Sequence, residues 1–320
     1  IEMVVGGTIA IAVIGWLASR RIPLSPAPEP ALKINWNPIT ETVRNIGFSR
    51  QNRPVFLSML GNSWFWFYGA IILAQFPVYA KDYLHGDHSV FVLLLTAFSL
   101  GIGAGSLLCE RLSGHKVEIG LVPFGSIGLS LFGFDLYLAS LVYSNTTAVD
   151  MAGFITQQCS ARILFDCIMI GLFGGLYIVP LFAILQTRCD PKHVSRTIAG
   201  MNIMNALFMV IAALVAMILL KMGFTIPQIF MATAVMNAFV AVDIFSLVPE
   251  FLMRFVAWLL IHTIHRVHGI DTDRIPDKGA AVLVCNHVSY VDAIVIMAAS
   301  PRPIRFVMDH RIYKMPVLSW

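Results

Sequence analysis

Charge is scarce in this chain. Asp, Glu, Lys and Arg make up 12% of its 320 residues, against about 25% in soluble domains. Such a chain has too few ionic groups to coat a soluble surface, while 58% of it is hydrophobic. The apolar residues fall into long runs, which implies an integral membrane protein. Cysteine is sparse too. Cys109, Cys159, Cys167, Cys189 and Cys285 form no CxxC pair and have no His at ligand spacing. No metal and no cofactor is therefore expected, and the thiols read as small membrane or core residues. A basic leader is also lacking: Ile1 opens straight into an apolar run, unlike a signal peptide. The run reads as a helix entered partway, so the sequence is expected to be a fragment of a longer protein. No nucleic-acid-binding pattern is present.

What is present is a series of spans. A helix needs ~20 apolar residues to cross a bilayer core. Candidate spans are Met3–Ala18, Pro54–Tyr79, Ser89–Cys109, Ile119–Tyr143, Arg162–Gln186, Thr197–Leu220 and Thr225–Val248. The basic residues divide sharply between the two sets of loops. Arg20, Arg21, Lys33, Arg44, Arg50 and Arg53 follow the first span. Arg111 and Lys116 follow the third, and Arg188, Lys192 and Arg196 the fifth. Eight more lie beyond the seventh. Of the 22 Lys and Arg, the opposite side keeps only Lys81 and Lys221, with Arg162 at a span edge. By the positive-inside rule, the basic loops and the tail are cytoplasmic.

Residues 19–53 begin with Pro23, Pro26, Pro28 and Pro30. They read as an extended linker followed by a short amphipathic piece. One span, a long basic linker and six more spans resemble the major facilitator superfamily, in which such a loop joins two six-helix halves. Gly105-Ser-Leu-Leu-Cys-Glu-Arg-Leu-Ser-Gly-His-Lys116 is similar to that superfamily's inner-loop signature. There Gly105 and Gly114, the Glu110–Arg111 pair and Lys116 would hold one conformation. The match carries one extra residue before Gly114. An ordinary charged turn is the plain alternative. Gly101, Gly103 and Gly105 would allow close helix packing.

Ionisable groups at membrane depth are costly and mark function by default. Asp135 lies in the fourth span, Arg162 and Asp166 open the fifth, and Asp243 lies near the end of the seventh. Arg162 and Asp166, four apart, share a helix face. They read either as a self-neutralising pair or, with Asp135, as a cluster facing outward. Such a cluster would meet a zwitterionic head group, with Arg162 toward phosphate and an Asp toward ammonium. Asn62, Gln75, Asn202 and Asn205 read as interhelical hydrogen-bonding groups. Trp64-Phe-Trp-Phe-Tyr68 reads as lipid contact and packing.

After Pro249 the pattern changes. Residues 250–267 form an amphipathic stretch with Arg254, Trp258, His262 and His265, suited to the membrane surface. His262, His265 and His268 have no acidic partner and do not read as a metal site. The run Ala280–Cys285 reads as a buried strand, ending at Asn286 and His287, with Asp292 following. Arg302–Met308 reads as a second strand. A His can accept a hydroxyl proton near neutral pH. A carboxylate on its other ring nitrogen fixes the tautomer. Asn-His-x-x-x-x-Asp after a strand resembles the first signature block of the lysophosphatidate acyltransferase-like family. The resemblance makes His287 the general base on a glycerol hydroxyl and Asp292 its orienter. The family's Arg-bearing phosphate block and Pro-Glu-Gly block do not occur here, so these 320 residues are expected to be inactive alone.

Together the two resemblances point to bacterial lysophospholipid transporters fused to an acyl-ACP–phospholipid O-acyltransferase. The implied fold is an α-helical membrane protein with one helix (1–18), a linker (19–53) and a six-helix second transporter half (54–248). An interfacial helix and the start of an α/β acyltransferase domain (249–320) would follow. The implied function is import of lysophospholipid, chiefly lysophosphatidylethanolamine, and its re-acylation from acyl-ACP or acyl-CoA. The partners are then lysolipid, acyl carrier protein and the bilayer, and the site is a bacterial inner membrane with a cytoplasmic C-terminal domain. A drug or metabolite exporter with an unrelated tail is the alternative. A third reading makes the spans only an anchor for the enzyme.

Overall fold

The computed structural model describes residues 2–23, 35–112, 120–191, 193–247, 257, 260–261, 263–264, 267, 274–275, 279–286, 288–289, 291–300 and 304–307. Two compact units divide the chain, Ile1–Glu41 and Thr42–Trp320. The first contains α1 (Glu2–Ser19) and the start of α2 (Pro38–Arg50). Arg20 folds back over the Trp16 ring, 4.0 Å from its centroid.

The second unit is built on α3 (Arg53–Val78), α4 (His88–Leu112), α5 (Leu121–Val142), α6 (Met151–Ile155), α7 (Ser160–Arg188), α8 (Val194–Lys221) and α9 (Ile226–Leu247). A further helix, α10, covers Asp292–Ala299. Five stretches are long and apolar enough to cross a membrane: Arg53–Tyr83, His88–Leu112, Leu121–Val142, Ser160–Arg188 and Val194–Lys221. Each coincides with a span expected from sequence. The first and seventh expected spans are apolar helices too, but their searched stretches, Val5–Ser19 and Ile226–Val242, are shorter. The chain is thus a largely helical membrane protein.

Helix ends follow local chemistry. Pro54 occupies the first turn of α3, where no backbone donor is needed. Just beyond Pro77 the helix widens into a π-turn, Tyr79–Tyr83. Asp87 precedes α4, and its Oδ1 accepts from Ser89 N at 2.8 Å and from the Ser89 hydroxyl. These bonds, the hydroxyl first, hold the Asp87 carboxyl below the usual carboxylate range. Ser89 Oγ in turn accepts from Met151 N, and Asp87 N donates to Val149 O. The α3–α4 and α5–α6 connections are therefore tied together at one end of the bundle.

α7 is the central helix, packing most extensively against α4 and α5. Its contact with α4 is glycine on glycine. Gly101 and Gly105 of α4 meet Gly171 and Gly175 of α7, each pair four residues apart. A Cβ on Gly101 would fall on the Ile168 carbonyl, one on Gly105 on the Leu172 carbonyl, and one on Gly171 on the Phe98 carbonyl. A Cβ on Gly175 would sit 2.7 Å from Ser106 N. Backbones approach this closely only where side chains are absent. Gly103 faces open space, so the expectation that it joins this contact is corrected: two residues from Gly101, it points to another helix face.

On the other side, α3 packs against α8, and α5 against α9. Asn237 of α9 joins three helices: Nδ2 donates to Ser126 O (2.8 Å) and Ser130 Oγ (2.9 Å), and Oδ1 accepts from Trp64 Nε1 (2.8 Å). The Trp64–Tyr68 run is mostly inward-facing. Phe65, Phe67 and Tyr68 are buried and only Trp66 is exposed, because α3 touches α7, α8 and α9 at once. Most of that run is therefore packing, with Trp66 left for the lipid contact also expected. α8 is the most apolar of the five spans and the least buried.

No strand is formed among the described residues; the only β feature is an isolated bridge, Gly86 to Val149. Residues 280–285, expected as a buried strand, are irregular and exposed. An extended run becomes a strand only when its N–H and C=O groups pair with a neighbour, and 280–285 has no such neighbour among the described residues. Most of 250–267, the expected interfacial stretch, lies outside the described residues, as do the ends of the expected second strand.

The glycine contact gives a direct test. Gly171→Val should destabilise the purified protein by about 3 kcal/mol or more, read by thermal unfolding in detergent. Gly103→Ala should stay within about 0.5 kcal/mol of wild type. Equal stability of the two variants would contradict the packing described.

Candidate functional site

At the tied end of the bundle, three ionisable side chains come together. Asp135 reaches in from α5. Arg162, in the first turn of α7, donates through Nε to Asp135 Oδ2 at 3.0 Å and through Nη2 to Oδ1. This is a bidentate pair, the geometry that planar guanidinium favours. The two side chains are 43% and 30% exposed. Asp166, one turn deeper on α7, is fully buried, and neither carboxyl oxygen has a hydrogen-bond partner. It interacts electrostatically with both Asp135 and Arg162. The structure thus brings together the three residues singled out by sequence, but not as an intrahelical pair. Arg162 is bonded to Asp135, and the self-neutralising Arg162–Asp166 reading is corrected. The reason is geometric: the guanidinium lies at the bundle rim, while Asp166 points into the packed interior.

Local backbone fixes this arrangement. Cys159 adopts a left-handed conformation, φ 67°, just before α7. Ser160 Oγ donates to Gln157 O at 2.8 Å and contacts Ile155 O at 3.0 Å. The turn aims the first helical residues, Arg162 among them, across to α5. Just beneath, Tyr79 bonds Ser140 across α3 and α5 at 2.7 Å.

A second polar cluster, deeper between α3 and α8, joins Ser63 and Asn205 at 2.9 Å. With its amide nitrogen toward Asn62 Oδ1, Asn205 accepts from Trp66 Nε1 at 3.2 Å. These are the interhelical bonds expected of Asn62 and Asn205, whereas Asn202 is exposed. Gln75 lies in a groove of about 440 Å³ between α3 and α8, with Ala216, Met217 and Lys221 among its lining. Sequence inspection missed the Asn237 junction and this groove, because both depend on which helices become neighbours.

Glu110 and Arg111 of the inner-loop stretch are exposed on the last turn of α4, and Gly105 is buried against α7. Gly114 and Lys116 lie outside the described residues.

In the C-terminal part, Asp292 opens α10. Its Oδ2 accepts from Val288 N at 2.7 Å and Ser289 N at 2.8 Å, and its own N–H donates to Ser289 O at 3.0 Å. The carboxylate therefore folds the turn that follows residue 287 back onto the helix start, where the dipole favours negative charge. His287 itself lies outside the described residues. Asn286 and Cys285 are exposed. No group of three metal-ligating side chains occurs among the described residues.

Comparison with known families gives one match: residues 266–320 fit the family model Acyltransferase. No curated protein and no solved structure matches the chain. An acyltransferase segment thus occupies the C-terminal part of a membrane protein.

The Asp292 geometry separates two roles. Asp292→Asn keeps an oxygen able to accept from residues 288 and 289, but removes the charge. In the intact enzyme it should leave thermal stability unchanged and lower the acyl-transfer rate about 10²- to 10⁴-fold. A rate within about threefold of wild type would limit Asp292 to shaping the turn.

Proposed function

We propose that the intact protein moves a lysophospholipid, chiefly lysophosphatidylethanolamine, across a bacterial inner membrane and re-acylates it on the cytoplasmic side. The observation that carries this reading is the Acyltransferase match at 266–320 in a chain with five membrane-crossing helices. The turn that Asp292 folds beside His287 supports the chemistry. The distribution of Lys and Arg supports a cytoplasmic tail.

In the proposed reaction, His287 accepts the proton of the free glycerol hydroxyl. The oxygen attacks the thioester carbonyl of an acyl donor, acyl-ACP or acyl-CoA. The C–S bond breaks, the ester forms, and the thiolate takes up the proton held by the imidazolium. Asp292, through Oδ1, orients the imidazole and stabilises its cationic form. No metal or cofactor takes part in this scheme. The helices before it form a transporter half of the major facilitator type. Glu110 and Arg111, with Gly105, Gly114 and Lys116, would constrain its inner loop. Asp135, Arg162 and Asp166 meet the head group on the outer side, the guanidinium facing phosphate and a carboxylate facing ammonium.

Two variants of the intact protein in membranes test the halves separately. His287→Ala should abolish conversion of labelled lysolipid to diacyl product, with uptake retained. Wild-type conversion would remove His287 from the mechanism. Arg162→Ala and Asp135→Asn should each lower lysolipid uptake at least tenfold, about 1.4 kcal/mol. Unchanged uptake in both would reduce the pair to a structural tie.

A further inference from the structure

The buried carboxyl of Asp166 remains unexplained by an Arg162–Asp135 pair that is already complete. The cluster holds two carboxyl groups and one guanidinium. Arg162 turns Nε and Nη2 toward Asp135. Asp166 is fully buried, neither of its oxygens accepts from an N–H or hydroxyl group, and its carboxyl lies against that of Asp135. A bare anion in that position would lose its hydration with nothing in return, a cost of several kcal/mol or more. One positive charge is needed to balance the cluster, and among the described residues Arg162 is the one cation that acts on Asp166. The groups facing Asp166 are Asp135 from α5, Arg162 and Cys167 from its own helix, and Tyr79 from the π-turn after α3. The π-turn also carries Lys81 and Asp82, both exposed; α4 carries only His88 at this end, and α6 carries no charged residue, with Asp150 preceding it.

We propose that Asp166 is a cation-exchange site: it carries a monovalent cation, a proton or a sodium ion, that leaves when the primary ammonium of a head group takes its place. This rests on the reading above, in which an amine-bearing lysolipid meets the cluster. It adds that binding is an exchange. In the proton case, Asp166–COOH and R–NH₃⁺ become an Asp166–COO⁻···⁺H₃N–R pair, and one proton passes to the outer water. In the sodium case, one Na⁺ is released instead. Charge within the site is unchanged, so the buried carboxyl is never left uncompensated. Three N–H donors of a primary ammonium suit two bare oxygens, and a glycerol head group has no charge to exchange. The Arg162–Asp135 pair at the rim stays intact through the cycle or opens to the lipid phosphate, while the deeper carboxyl sets the ion count.

The test uses the intact protein in nanodiscs. Binding of lysophosphatidylethanolamine is followed by calorimetry in two buffers of different ionisation heat, at low and high sodium, with lysophosphatidylglycerol as the comparison lipid. About one proton should be released per amine lipid bound, with a tenfold change in affinity per pH unit. In the sodium arm, affinity should instead fall tenfold per tenfold rise in Na⁺. Neither linkage should appear with the glycerol lipid. The isosteric Asp166→Asn should abolish the linkage while the protein still folds and binds lipid more weakly. Binding of the amine lipid with neither proton nor sodium linkage in wild type would overturn the exchange. Binding of both lipids unaffected by Arg162→Ala would overturn the underlying head-group reading instead.

Discussion

The close approach of α4 and α7 is the constraint on which the rest of the bundle depends. Side chains at positions 101, 105, 171 and 175 would collide with carbonyl or amide groups of the facing helix. Because glycine occupies all four, α7 sinks to the middle of the unit, where it also reaches α5 and α3. Its depth decides the surroundings of its first turns. Arg162 emerges at the rim within reach of Asp135, and Asp166, one turn on, is enclosed. In lipid there is no hydrophobic gain from pressing helices together, so close packing and interhelical hydrogen bonds do the holding. The Asn237 junction and the Tyr79–Ser140 bond add the polar part of that hold. The backbone ties between the α3–α4 and α5–α6 connections close the same end.

That arrangement turns a general rule about membranes into chemistry. Charges inside a membrane protein persist where they are paired or used. Asp135 and Arg162 satisfy each other. Asp166 is enclosed with its carboxyl against that of Asp135 and without an N–H donor. A bundle whose polar groups were all satisfied would be a sufficient anchor for an enzyme.

Much of this was legible in the sequence because helix formation in membranes is a local matter of length and apolarity. All seven expected spans fall on helices, with ends displaced by a few residues. Asp135, Arg162 and Asp166 stood out because charge is rare here, yet their pairing was not legible: helix periodicity suggested Arg162 with Asp166, and tertiary packing chose Asp135. The role of Gly103 was misread for a related reason, since only every fourth residue stays on one face. The expected strand at 280–285 failed because strand formation is non-local and needs an edge to pair with. The bonds from the backbone of residues 288 and 289 to Asp292 were not read from the sequence, which assigned that carboxylate only to the ring of His287.

The central claim is that one chain joins delivery of a lysolipid to its acylation. Sealed vesicles holding the intact protein in a single orientation can be given labelled lysophosphatidylethanolamine only at the face opposite residues 249–320. Acyl-ACP is supplied only at the face that carries them. The account predicts labelled diacyl product, formed at a rate set by lysolipid crossing and lowered at least tenfold by Arg162→Ala. Product formed only when lysolipid and donor are supplied on the same side would contradict it.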